Sequence, residues 1–254
     1  MRIAVAGATG NIGARTVAVL ERAGHDVVGI SRKQGADLST GEGLDAALAG
    51  VETVVDASNG PEGLSFPETV AWFGGATANL LAAEERAGVR HHVLLSIVGI
   101  HRTEGNAHYG GKREQERLVE AGNVPWTIVP ATQFHDFAAM AASWTAQDGV
   151  APIAPLLLRP IAPDDVAAVL ALVATGEPRG RFADVAGPEP EDMVDMARRT
   201  LQARGQTLKL RPTWDGAIFG EEMAGNALLP GAGAHIAPTS FDAWLEQERK
   251  NAGQ

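Results

Sequence analysis

Ser96, Tyr109 and Lys112 are the residues of this chain whose types and order could carry acid–base chemistry. A lysine beside a tyrosine lowers the phenol's pKa, and a serine hydroxyl polarises a substrate carbonyl. Together they would pass a proton to or from an oxygen while a bound carrier delivers hydride. Ser96 stands inside an apolar run, VLLSIV at 93–98, where a hydroxyl must find a hydrogen-bond partner or a ligand. His108 is a further candidate, because imidazole exchanges protons near neutral pH. Metal chemistry is not expected. His91 and His92 are adjacent at the start of a strand, where neighbours point to opposite faces, and no acidic cluster accompanies them. They read as a partly exposed strand start.

A second constellation comes first in the chain. Residues 1–13, MRIAVAGATGNIG, run from an apolar strand into Gly7, Gly10 and Gly13 and then into a helical pattern. Gly7 allows a sharp turn off the strand, Gly10 lets backbone N–H groups approach a pyrophosphate, and Gly13 lets the helix pack close to the sheet. The helix N-terminus adds a field that favours negative charge. About 20 residues past such glycines, a site for NAD carries an acid on the ribose 2′-hydroxyl. Here the second strand ends in Ser31-Arg32-Lys33, with no carboxylate until Asp37. Two cations and a hydroxyl suit a 2′-phosphate, so the expected cofactor is NADP(H).

The elements that must position these groups alternate. Strands are expected at 26–31, 53–57, 93–98 and 125–129, and helices at 14–23, 43–49, 68–87 and 112–121. The third strand ends in the small residues Ala57 and Ser58, which leave room for a ligand over the sheet edge. Such alternation specifies an α/β fold, a doubly wound parallel sheet with right-handed crossovers. The remainder is less regular. A helix at 137–146, a proline-punctuated loop at 150–155, a strand at 156–161 and a helix from Pro163 to about 175 come first. Asp164 and Asp165 then serve as first-turn acids. A short strand at 181–186, a helix at 191–203 and further pieces at 208–211, 214–226 and 240–249 complete a mixed tail. The domains drawn from this are 1–135, a dinucleotide-binding domain, and 136–254, a smaller substrate lobe that walls a cleft at the carboxyl edge of the sheet. Residues 251–254 are expected to fray.

Composition narrows the function classes. Asp and Glu outnumber Lys and Arg by 31 to 21, a formal charge of -10, which argues against nucleic-acid binding through a basic face. There is no cysteine, so disulfides, thiolate metal sites and a Cys nucleophile are excluded. No basic-then-apolar leader precedes the first strand, and no apolar stretch approaches a membrane span. A cytoplasmic protein with no membrane contact is expected.

The sequence resembles the short-chain dehydrogenase/reductase superfamily, and within it the atypical, NmrA-like NAD(P)H-binding branch. The resemblance rests on Gly7-Ala8-Thr9-Gly10-Asn11-Ile12-Gly13, Ser31-Arg32-Lys33, Leu95-Ser96-Ile97-Val98-Gly99, Tyr109 with Lys112, and Pro125-Trp126-Thr127-Ile128-Val129 followed by Ala131-Thr132-Gln133-Phe134. It implies a Rossmann-type domain with a small substrate lobe. Gly7, Thr9, Gly10, Asn11, Ile12 and Gly13 would hold the pyrophosphate, and Arg32 and Lys33 the 2′-phosphate. Thr132, Gln133 and Phe134 would lie beside the nicotinamide, and Lys112 would hold its ribose. The superfamily's Tyr-x-x-x-Lys places tyrosine at position 108, but this chain has His108 there and Tyr109 one residue later. One residue is a rotation of about 100° on a helix. The implied function is hydride transfer to a small carbonyl, enone or quinone-like acceptor. The alternatives are an NADP(H)-binding redox sensor acting through a regulatory protein partner without turnover, and, ranked lower, a nucleotide-sugar epimerase or dehydratase.

The reading of the basic turn generates a direct expectation. Arg32→Asp, titrated with NADPH and NADH beside the wild type, reverses or erases a preference for NADPH; an unchanged preference removes this turn as the discriminator.

Overall fold

The computed structural model describes residues 1–252. Apolar Ile3, Ala4, Val5 and Ala6 are fully buried, and they make β1 (Arg2–Ala6) the inner strand of a parallel sheet. Its neighbours are β2 (Asp26–Ile30), paired from Arg2↔Asp26, and β3 (Thr53–Asp56), paired from Ile3↔Thr53. β4 (His91–Ile97), β5 (Trp126–Ala131) and the short β8 (Gly180–Arg181) extend it, giving the order β2-β1-β3-β4-β5-β8. Helices α1 (Asn11–Arg22), α2 (Leu44–Ala47), α3 (Phe66–Ala87) and α4 (Ala107–Ala121) form the crossovers that parallel pairing requires. With helices on both sides, this is the expected Rossmann-like α/β fold. The strand order reverses between β1 and β3, and beyond the carboxyl ends of the strands at such a reversal is where open sheets of this kind bind ligands.

Two helices begin earlier than their apolar periodicity suggests, each because of a cap. Ser65 and Glu68 form a reciprocal capping box that starts α3 at Phe66, with Pro67 in the first turn. Asn106 accepts the Tyr109 N–H at 3.1 Å and starts α4 at Ala107, so His108, Tyr109 and Lys112 all lie on one helix. Glycines let α3 and α4 meet closely. A Cβ on Gly111 would come within 2.2 Å of the Phe73 ring, and one on Gly110 within 2.7 Å of Phe66.

His91 and His92 are not at an exposed strand start: they are 3% and 0% exposed. The difference is decided by α3, which presents Glu84 to His92 Nδ1 at 2.8 Å, both side chains fully buried. On the other side His91 Nε2 meets Thr127 Oγ1 at 2.9 Å.

The chain divides into two interleaved units, Met1–Pro130 with Val166–Ala183, and Ala131–Asp165 with Asp184 onward. The single cut at residue 135 expected from sequence becomes a double crossing, because β8 returns to pair parallel with β5 at Thr127↔Gly180. The strand expected at 181–186 is accordingly two, β8 in the first unit and β9 (Val185–Ala186) in the second.

The second unit holds α5 (Phe137–Thr145), α7 (Met193–Ala203), α8 (Phe241–Ala252) and three small strand pairs, with α6 (Pro163–Ala174) spanning from it into the first. The expected loop at 150–155 contains β6 (Val150–Ile153), paired parallel with β11 (Lys209–Pro212). Tertiary pairing here overrides the discouragement of Pro152. β7 (Leu157–Leu158) pairs antiparallel with β10 (Glu191–Asp192), and β9 pairs with β12 (His235–Ile236). Of the expected piece at 214–226, a short 3-10 turn at Glu221–Met223 is helical. Asn251 and Ala252 continue α8, while positions 253 and 254, expected to fray, lie outside the described residues. Among the described residues, no helix is long and apolar enough to cross a membrane.

The buried Glu84–His92 pair makes stability depend on pH. Burial raises the Glu84 pKa despite His92, and the Glu84 charge raises that of His92 above its ordinary 6.5 despite burial. Above that value the folded pair retains a proton that the unfolded chain releases, so stability falls as pH rises, by up to about 1.4 kcal/mol per pH unit. Denaturant titrations from pH 6 to 9 are expected to show this slope in the wild type. Glu84→Gln, less stable throughout, shows a flatter one.

Candidate functional site

At the end of β1, Gly7 takes a left-handed conformation, φ 76°, and donates its N–H to Ile30 O at 3.1 Å. A side chain there would strike the Ala57 carbonyl oxygen at 2.7 Å and Ser58 Cα at 2.9 Å. The turns following β1 and β3 therefore touch backbone to backbone. A Cβ on Gly13 would come within 2.0 Å of Gly7 O, so α1 starts hard against the same turn. Gly10 caps α1 without a side chain, its own N–H donating to Gly7 O at 2.8 Å, and no acid occupies the first turn. The first turn of α1 thus sets no carboxylate of its own against the helix's positive end. Thr9, Gly10 and Asn11 are exposed at it, and Ile12 is buried beneath. Next to this turn the Ser58 hydroxyl is buried with no hydrogen-bond partner. A glycine turn with no space for Cβ atoms, an open helix terminus and an orphaned hydroxyl are what a dinucleotide pyrophosphate and its riboses need.

After β2 the chain makes a 3-10 turn, Arg32–Gln34, closed by Gly35 at φ 83°. Arg32 and Lys33 are exposed on it, and Ser31 Oγ donates to Gln34 Oε1 at 2.6 Å. Hydrogen bonds from Ser39 hold the Asp37 carboxyl below the usual range, with Arg32 adding a smaller effect.

Lys112 is buried at the same sheet edge. Its ammonium donates to Leu95 O of β4 at 3.1 Å, reaches Ser58 O at 3.5 Å and lies 5.4 Å from the Phe73 ring centre. Burial lowers its pKa, with the charges of Asp56 and Glu116 opposing. Asp56 is fully enclosed; it accepts Ser58 N–H at 2.9 Å and Gln115 Nε2 at 3.1 Å. His108, one turn before Lys112, stands edge-on to Phe73 at 5.5 Å and is partly exposed. Burial, then the Lys112 charge, push its pKa down to about 4. Tyr109 is 3% exposed, buried in the interior. Gly60, in the loop after β3, packs on Phe73 and on Trp72.

Ser96 is answered from within the protein. Its hydroxyl donates to Glu116 Oε1 at 2.5 Å, and the same carboxylate accepts His101 Nε2 at 2.6 Å and the Arg181 guanidinium at 2.9 and 3.2 Å. Burial opposes ionisation of Glu116, but the hydrogen bonds from Arg181, Ser96 and His101 outweigh it and hold its pKa below the usual range. Glu116, Arg181, Asp56, Gln115 and Phe73 were not singled out in sequence. The i, i+4 spacing of Lys112 and Glu116 is a sequence signal by which one of them is findable.

The structure thus brings Gly7, Gly13, Ala57, Ser58, Lys112 and His108 together in the first unit. Thr132, Gln133 and Phe134 belong to the second. There Thr132 Oγ1 donates to Arg159 O at 2.7 Å, Gln133 O accepts Ile161 N–H at 3.0 Å, and Phe134 bridges to Ile161.

A family described as NAD(P)H-binding matches residues 7–177. No curated protein matches the chain in sequence. Among solved structures, MoeE5 in complex with UDP-glucose and NAD is similar with a TM-score of 0.74 at 19% identity, covering 99% of each chain. The Citrobacter sp. triphenylmethane reductase complexed with NADP(H) gives 0.69 at 18%, over 99% of this chain and 100% of that one. An NADPH-dependent quinone oxidoreductase of Escherichia coli, complexed with NADPH, gives 0.65 at 18%, over 83% and 78%. At these identities the likeness is one of fold.

The close approach of α1 to its preceding turn can be tested directly. Gly13→Ala is expected to lower the urea midpoint, with a loss of about 1–3 kcal/mol, because backbone must move. Gly75→Ala on α3, with nothing within 4 Å, leaves stability unchanged or raises it.

Proposed function

Because the chain belongs to the NAD(P)H-binding family, we propose that it is an NADP(H)-dependent oxidoreductase reducing a small carbonyl or quinone-like acceptor. The observation that carries this is the junction of Gly7 with Ala57 and Ser58, a dinucleotide cradle with Lys112 fixed beside it. Gly7, Thr9, Gly10, Asn11, Ile12 and Gly13 would hold the pyrophosphate through backbone N–H groups. Ser31, Arg32 and Lys33 would hold the 2′-phosphate, and Ala57 and Ser58 would line the adjacent riboses. When bound, NADPH supplies a hydride. The chain's own residues bind and orient the two reactants, and Lys112 sets a positive charge near the reacting end.

Proton supply decides between acceptors. The Ser96 hydroxyl is committed to Glu116, and Tyr109 is buried. Quinone-like acceptors make the smallest demand on a protein acid, since their reduced form is a stabilised anion. The E. coli quinone oxidoreductase supports that choice of class. The same commitment of Ser96 favours a second reading, a redox sensor that binds NADP(H) and signals to a protein partner without turnover.

A panel of quinones and simple aldehydes separates the two. Quinones are expected to accelerate loss of NADPH absorbance at least about tenfold more than aldehydes at equal concentration, as expected where acid catalysis is worth a factor of about 100 or more to a carbonyl. No turnover of any acceptor, with NADPH still bound in a calorimetric titration, leaves the sensor reading standing.

A further inference from the structure

We propose that His108 is the side chain that receives the acceptor, donating a hydrogen bond from its neutral ring to the oxygen on which negative charge accumulates, and that the acceptor is a quinone. The inference rests on the oxidoreductase reading above and names the substrate class and the contact for that site.

The position of His108 carries the argument. It lies in the first turn of α4, partly exposed, with Lys112 one turn further along the helix. Phe73 touches both, standing 5.5 Å from the His108 ring and 5.4 Å from the Lys112 ammonium. Phe73 is itself fixed, wedged against Gly111 and Gly60 and edge-on to Trp72 at 5.3 Å. Lys112 in turn reaches Ser58 O, on the loop that packs under Gly7, which ties the helix carrying His108 to the cradle. What acts on the imidazole is burial and the Lys112 charge; among the described residues no hydrogen bond holds either ring nitrogen. A polar ring in a semi-enclosed place without a partner is suited to a ligand oxygen.

The charge state fits the role. A helix N-terminus disfavours a cation, as do burial and Lys112, so the ring stays neutral near pH 7 and donates a hydrogen bond without transferring its proton. The quinone gains one hydride, and with it two electrons, to become a hydroquinone monoanion, while the nicotinamide is oxidised. The second proton comes from water after release. The anionic oxygen accepts the His108 N–H and lies in the field of Lys112. No acid from Tyr109 or Ser96 is required.

The experiment measures hydroquinone, the product, binding to the NADP+-loaded protein by calorimetry, in wild type, His108→Ala, His108→Asn and Tyr109→Phe. The His108→Ala affinity is expected to drop about tenfold, and His108→Asn, which keeps a donor, to restore most of it. In the wild type the His108 ring 15N signals shift on adding hydroquinone and report a neutral ring. Wild-type affinity in His108→Ala overturns the proposal, as does a loss confined to Tyr109→Phe. Failure of the wild type to bind NADP+ overturns the underlying oxidoreductase reading, and this one with it.

Discussion

Two turns of backbone, one after β1 and one after β3, lie in contact with no space for a side chain between them, and the rest of the site depends on that contact. Gly7 is glycine because the Ala57 carbonyl occupies the place of a Cβ. The same approach fixes Ser58, whose carbonyl faces the Lys112 ammonium and whose N–H is pinned by Asp56. Asp56 is pinned in turn by Gln115 on α4, the helix that carries Lys112 and His108. The glycine turn after β1 and helix α4 are thus joined by a short relay of backbone and buried polar contacts. A displacement at one end would be felt at the other.

The buried charges of the first unit obey one rule, that a charge removed from water is matched by several partners. Glu116 gathers three donors, Asp56 two, and Glu84 a histidine. Lys112 is the partial exception. Its contacts are carbonyls and a ring face, which leaves its charge less compensated and hence more available to an incoming anion.

Whatever was settled locally was legible in the sequence. The glycines at 7, 10 and 13 declared their turn because strand, turn and helix are contiguous there. Lys112 kept its motif spacing, and the strand–helix alternation specified the sheet. What depended on distant partners was hidden. Ser96 posed a question that only Glu116 and Arg181 answer, 20 residues and more away along the chain. His91 and His92 seemed exposed because nothing in their neighbourhood announced Glu84 on α3. Pro152 masked a strand whose partner, β11, comes much later. The start of α4 was masked by Gly110 and Gly111, whose poor helix propensity is the condition for packing on Phe66 and Phe73.

The double crossing of the chain between units bears on how the protein is made. The first unit is not complete when β5 emerges from the ribosome: until residues near 181 have been synthesised, β5 is an unpaired edge and Glu116 lacks its guanidinium partner. The intervening stretch, 131–165, must be held aside meanwhile. Vectorial synthesis therefore cannot finish the first unit before residues 131–165 of the second have followed β5.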